Sequence, residues 1–219
     1  MIKLRYTWEP YIKYGRKLEL DKGSYLYNQQ EEGKGFYYLD KGAIKISLLS
    51  HEGLERTINY VPEGMLFGEH GVNNEPYLTT ACTITSSVIY YFSDQAFEEI
   101  CNTFPEAITI FTDSLIFKFR TLAEIIAFMN SPVEQQMAHF LIKLVSENGS
   151  IPLNQTEFAK YIGASRISVN KTLSKWRKSG IIDFIDNKIF ITDMKQLDGI
   201  RLKSVDFPYH LDHLLLSSE

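Results

Sequence analysis

Along the first hundred residues, apolar positions come in short runs separated by turn residues. The runs read "YLYNQ", "GFYYLD", "AIKISLLS", "RTINYV", "ACTITS" and "SVIYYFS", with glycines at 23, 33, 35, 42, 53, 64, 68 and 71 between or beside them. "AIKIS" alternates apolar and polar, as a half-buried strand does, and "SHEG" at 50–53 reads as a hairpin tip. This spacing predicts a sandwich or roll over residues 16–100. Near residue 94 the period changes. Asp94 is placed to cap a short helix, "SDQAFEEICNTF", and Pro105 suits the first turn of the next. In that next helix apolar residues recur at 108, 111, 115, 119, 122, 126 and 129, a helical period. Phe117, Ile125 and Phe128 add apolar surface off this stripe. One sheet does not need so much apolar girth, so the same helix of a second subunit is the expected partner. The alternative is burial inside its own domain.

A boundary is expected near residue 130. Ser131 is placed as an N-cap, Pro132 at the first helical position and Glu134 to complete a capping box, and the helix should end at Asn148-Gly149. Asn154 and Glu157 then cap "QTEFAKYI", with Phe158, Ala159 and Ile162 inward. Gly163 supplies the positive φ of a tight turn, and Ser165 caps the following helix. Val169, Leu173 and Trp176 form the inner face of that helix, leaving Arg166, Asn170, Lys171 and Ser174 to point outward. This order is a helix-turn-helix. "IIDFI" and "KIFIT" around "DN" add a hairpin wing.

Charge sharpens that reading. The chain of 219 residues carries a formal −4, yet residues 162–178 hold five cations (Arg166, Lys171, Lys175, Arg177, Lys178) and no acid. A local field of this kind is the footprint of a polyanion partner. The candidate DNA contacts are Gln155, Ser165, Arg166, Ile167, Ser168, Asn170, Lys171 and Lys175. Arg166 can offer two hydrogen bonds to a guanine edge, Asn170 can pair with adenine, and Lys171 can take a guanine or a phosphate. Lys175, Arg177 and Lys178 suit the phosphate backbone. Composition is that of an ordinary globular protein, with 44% hydrophobic and 23% charged residues. No apolar run is long enough to span a membrane, and the N-terminus does not read as a signal peptide. Cys82 and Cys101 are expected to be core thiols of a cytoplasmic protein. The five histidines are scattered and no nucleophile–base motif occurs, so neither catalytic nor metal-binding residues are expected; His210 and His213 lack further ligands.

The order of parts resembles the cyclic-AMP receptor and fumarate–nitrate regulator (Crp/Fnr) family of bacterial transcription factors. "YYLDKGAIKI" and "PEGMLFGE" are similar to its cyclic-nucleotide-binding-type roll, and "IGASRISVNKTLSKWRKSGII" to its winged helix-turn-helix. The resemblance implies an α+β fold: an N-terminal β-roll over 1–103, a long dimerisation helix over 104–130 and a C-terminal winged helix-turn-helix over 131–219. It implies a homodimer on a partly palindromic operator in double-stranded DNA, contact with RNA polymerase, and an unidentified small-molecule effector. The corresponding effector pocket would hold Phe67, Gly68, Glu69, Thr79, Thr80 and, from the long helix, Thr121. Glu69 matches the family's ribose-binding glutamate. Thr79 and Thr80 stand where cyclic-nucleotide binders keep an arginine and a hydroxyl, so cyclic AMP binding is not expected. The N-terminus has no cysteine for an iron–sulfur cluster. His70 stands near the place where haem-sensing relatives use a histidine, but an ordinary hydrogen-bonding role is expected, and no cofactor. Ile167 cannot accept from cytosine, so the half-site should differ from that of the cyclic-AMP receptor. The competing expectation is a ligand-binding regulatory module whose winged helix makes protein contacts.

Overall fold

The computed structural model describes residues 7–148, 155–185 and 188–202. They fall into two compact units divided between Ile125 and Ile126. The Asn154 cap, Gly149, the turn at 186–187, His210 and His213 lie outside the described residues.

The first unit holds eight strands: β1 (Arg16–Leu20), β2 (Tyr25–Tyr27), β3 (Phe36–Lys41), β4 (Ile44–Leu49), β5 (Glu55–Val61), β6 (Leu66–Phe67), β7 (Thr80–Thr83) and β8 (Ser87–Phe92). They make two four-stranded antiparallel sheets, ordered β1-β8-β3-β6 and β2-β7-β4-β5. Successive side chains of a strand point to opposite faces. In β3 this sends Tyr37 and Leu39 into the core between the sheets, with Ile44, Ile46, Phe67, Ala81 and Ile89. Phe36 and Tyr38 go to a second core with Trp8, Phe92, Ile100, Ala107 and Ile110. The run "FYYL" fails to alternate because both of its faces are covered. At 50–53 the expected hairpin tip closes through Gly53 N–H donating to Ser50 O (3.0 Å).

Two helices follow, α1 (Asp94–Thr103) and α2 (Glu106–Phe128). The cap of α1 is Ser93, not Asp94: the Ser93 hydroxyl accepts from Ala96 N–H at 3.2 Å. Asp94 sits one residue later and accepts from Asn73 N–H (2.9 Å), tying a left-handed turn to the helix. Along α2 the apolar stripe read from sequence splits in two. Phe111 packs on Phe36 and Phe97, at ring separations of 5.1 and 4.5 Å. It therefore belongs to the inner face, with Ala107, Ile110, Ser114, Thr121 and Ile125. Ile108, Leu115, Phe119, Leu122 and Ile126 remain exposed, Phe119 by 74%.

The second unit contains α3 (Val133–Asn148), α4 (Gln155–Ile162), α5 (Arg166–Lys178), the hairpin β9 (Ile182–Ile185) and β10 (Lys188–Ile191), and α6 (Met194–Leu202). Met137, Phe140, Leu141 and Leu144 of α3 lie in one core with Phe158, Val169, Leu173, Trp176 and Leu197. Gly163, at φ +74°, turns the chain between α4 and α5 where a side chain would be strained. The tight loop and the packed face together fix the angle between the two helices.

Candidate nucleic-acid interface and the carboxylate of the roll

Helix α5 begins where the Ser165 hydroxyl accepts from Ser168 N–H (3.1 Å), satisfying one of the free amides of the first turn. The two hydroxyls also bond each other at 2.9 Å. Val169, Leu173 and Trp176 are at most 1% exposed. The opposite side presents Ile167, Lys171, Ser174 and Lys178, spaced 4, 3 and 4 residues apart and all exposed. Arg166 flanks this stripe and is exposed; Ser168 is half-buried, as is Gln155 at the start of α4. Asn170 differs from the sequence reading: it is half-buried, and its Oδ1 lies inside with no hydrogen-bond partner among the described residues.

The five cations divide by what they already hold. Lys175 Nζ donates to Glu134 of α3 at 2.9 Å. Arg177 pairs with Asp183 at 3.3 Å and lies 5.7 Å from the Phe184 ring centre, so it braces the wing. Arg166, Lys171 and Lys178 have no ion-pair partner among the described residues. Sequence reasoning did not separate these two groups. It had Ser174 pointing outward and Lys178 on the phosphate backbone but named neither among the candidate contacts, although the helical spacing of Ile167 and Lys171 continues through both.

Glu134 has a structural task as well. The buried Trp176 indole donates its Nε1–H to Glu134 Oε1 at 3.0 Å. Glu134→Ala removes the acceptor and strands that donor, and is expected to destabilise the protein by about 1–3 kcal/mol. Chemical denaturation checks this. Glu134→Ala combined with Trp176→Phe should cost less than the two single losses added together.

In the first unit the expected pocket residues are distributed over separate tasks. Phe67 is fully buried, 5.2 Å from Tyr37 in a stacked pair, and Tyr27 stacks on Tyr77 at 3.9 Å. Aromatic rings thus fill the space between the sheets. Gly68, at φ +79°, starts the short turn Glu69–Asn74. Thr80 spends its hydroxyl on Gln29 N–H (3.0 Å). His70 Nδ1 accepts from Leu78 N–H (3.2 Å), which leaves the proton on Nε2, 3.2 Å from the Thr79 hydroxyl. Burial holds the imidazole below the usual histidine range, so this neutral tautomer is the favoured one.

Glu69 is the exception, because its partners come from α2. The Ser114 hydroxyl donates to Glu69 Oε1 at 2.7 Å, and Lys118 Nζ forms an ion pair with the same oxygen. Lys118 also donates to Ser114 Oγ (2.9 Å) and Leu66 O (3.0 Å). Burial pulls the Lys118 ammonium below the usual lysine range, against the opposing pull of Glu69. Glu69 Oε2 is buried with no hydrogen-bond partner among the described residues. Thr121 is buried on the same helix face, one turn past Lys118. Cys82 and Cys101 are unpaired and half-buried, and burial raises both thiols. No cluster of metal-ligating side chains occurs among the described residues.

Comparison with known proteins agrees with this division. The cyclic nucleotide-binding domain family matches residues 17–104, and the Crp-like helix-turn-helix domain family matches residues 135–200. The chain belongs to the Crp/Fnr family. Its roll is a cyclic nucleotide-binding-like domain, and its second unit carries the DNA-binding helix-turn-helix of transcription regulators. A CRP-like cAMP-activated global transcriptional regulator of Mycobacterium tuberculosis is 24% identical over 192 residues, spanning 82% of this chain and 85% of the relative. The transcriptional regulator LdrP of Thermus thermophilus is 22% identical over 182 residues, spanning 79% and 90%. The structure of a CooA mutant from Carboxydothermus hydrogenoformans shares the fold, with a TM-score of 0.76 at 20% identity over 91% of this chain and 92% of that one. Among the described residues no helix is long and apolar enough to cross a membrane.

Proposed function

We propose that this Crp/Fnr-family chain is a homodimeric, sequence-specific DNA-binding regulator whose roll does not take cyclic AMP. The observation that carries the DNA reading is the exposed side of α5. Three cations there have no ion-pair partner among the described residues, while the opposite side is locked into the core. Such cations neutralise phosphates and release counterions, which makes binding salt-dependent. Residues in the first turn of a helix that enters the major groove meet base edges. Arg166 is assigned there, Lys171 one turn on, and Lys178 to the phosphate backbone.

The reading of the roll is supported by the state of Glu69. Its Oε1 is held by Lys118 and Ser114 of the chain's own helix, and Thr79 and Thr80 supply no cation for a cyclic phosphate. A phosphate charge taken into this site would lack a bidentate partner. The homodimer is supported by the exposed apolar stripe of α2. Contact with RNA polymerase and an effector other than cyclic AMP belong to the same reading.

Selection of bound sequences from random duplex DNA, with and without cyclic AMP, tests it. A two-fold symmetric consensus that cyclic AMP does not change is the expected result. On that consensus Arg166→Ala should cost about 1–3 kcal/mol and relax one base position. Lys178→Ala should weaken all sequences alike and reduce the salt slope by about 1. Equal losses on specific and random DNA from Arg166→Ala would remove its base-reading role. The absence of any salt-dependent duplex binding would favour a winged helix used for protein contacts.

A further inference from the structure

Ile167 is 81% exposed, more than any other large apolar side chain among the described residues. It contributes nothing to the core, and a β-branched residue is a weaker helix former than the straight-chain polar residues that would suit an exposed position. Its surroundings are also unusual for an apolar group. Arg166 precedes it and Lys171 lies one turn along the same stripe, both exposed. The neighbouring Ser165 and Ser168 hydroxyls are bonded to each other and to the helix start. The first turn of α5 therefore presents one apolar side chain on a basic face.

The major-groove edges of the four bases differ in donors and acceptors, and only thymine adds a methyl group. We propose that Ile167 reads this 5-methyl group in each half-site, which makes it a specificity-determining residue of the interface. The inference rests on the proposed DNA reading. Its logic is contact and exclusion together. The butyl group of Ile167 removes the methyl from water. Set against the cytosine amine or the guanine carbonyl oxygen, it covers a polar group and offers it no hydrogen bond. Arg166 and Lys171 remain free for acceptor-rich guanine edges or phosphates. The half-site is thus expected to carry a thymine within reach of the first turn, beside a position read by Arg166.

Deoxyuridine differs from thymidine only by that methyl, so it isolates the contact. Each thymine of the selected duplex is replaced in turn by deoxyuridine, and the affinity of the full chain is measured by fluorescence anisotropy. One thymine per half-site should be sensitive. Losing the burial of one methyl corresponds to about a fourfold loss, and to about fifteenfold when both half-sites are changed. Ile167→Ala should bind the thymine duplex correspondingly less well and be indifferent to the replacement, while Ile167→Val should retain much of the sensitivity. Unchanged thermal unfolding of Ile167→Ala excludes a folding defect. If the wild-type chain binds every deoxyuridine duplex as it binds the parent, the methyl contact is refuted and the DNA reading stands. If it binds no duplex in a salt-dependent way, both fall.

Discussion

Replacing Lys118 by alanine is expected to destabilise the roll by about 3 kcal/mol, the lower end of the range for stranding a buried charge. The Glu69 side chain is 1% exposed, and although the Lys118 side chain is 25% exposed its ammonium is turned inward onto Glu69, Ser114 Oγ and Leu66 O. Only Ser114 would then remain on Oε1, and Oε2 has no hydrogen-bond partner among the described residues to compensate. The ion pair itself need not be strongly stabilising, because both groups lost water to form it. What costs free energy is removing one partner alone. Lys118→Met combined with Glu69→Gln should therefore recover most of the loss, since neither buried group is then charged. Urea denaturation followed by circular dichroism separates the cases. A Lys118→Ala variant within about 0.5 kcal/mol of the parent, the range of an ordinary surface change, would show that the pair is not structural.

The same pair shows where the sequence stopped being readable. Glu69 could be singled out from "PEGMLFGE", but Lys118 lies 49 residues further along, inside "LIFKF", and nothing local joins them. A signal was nonetheless present. Ser114, Lys118 and Thr121 recur at steps of 4 and 3, a polar line on the helix face that also carries Ala107, Ile110 and Ile125. A polar line on a face that must be buried demands a partner, and the roll supplies a carboxylate. Helix α2 was misphased at Phe111 for a related reason: steps of three and four fit several neighbouring stripes when a helix is apolar on more than one side. Only the Phe36 and Phe97 rings settle which side faces in.

The helix-turn-helix was legible because its signals are local. A serine cap, a glycine turn and three apolar residues at helical spacing each act within a few residues. What those signals did not give was the pairing of Lys175 with Glu134, 41 residues away. Helix α6 was not anticipated, although its cap was available: Asp193 Oδ1 accepts from Gln196 N–H at 2.8 Å. Short-range rules found the elements. The contacts that assign their charged residues to internal or external partners are long-range.

If the proposed homodimer forms through α2, Phe119→Asp should convert it to a monomer and lower its affinity for a symmetric operator by about 10²–10⁴. Leu115, Phe119, Leu122 and Ile126 are spaced 4, 3 and 4 residues apart, the repeat of a two-helix seam, and each is at least 41% exposed on the single chain. An aspartate there would be buried against an apolar partner helix with nothing to pair it, so association is disfavoured. Two linked recognition helices bind two half-sites at high effective concentration, and one helix alone loses that advantage without losing any base contact. Phe119→Leu, which keeps an apolar side chain in the seam, should retain the dimer and most of the affinity. Sedimentation equilibrium and titration of the selected duplex read the two effects separately. Full affinity from a monomeric Phe119→Asp protein would mean that one half-site suffices. A Phe119→Asp protein that stays dimeric would place the subunit contact elsewhere than on this stripe.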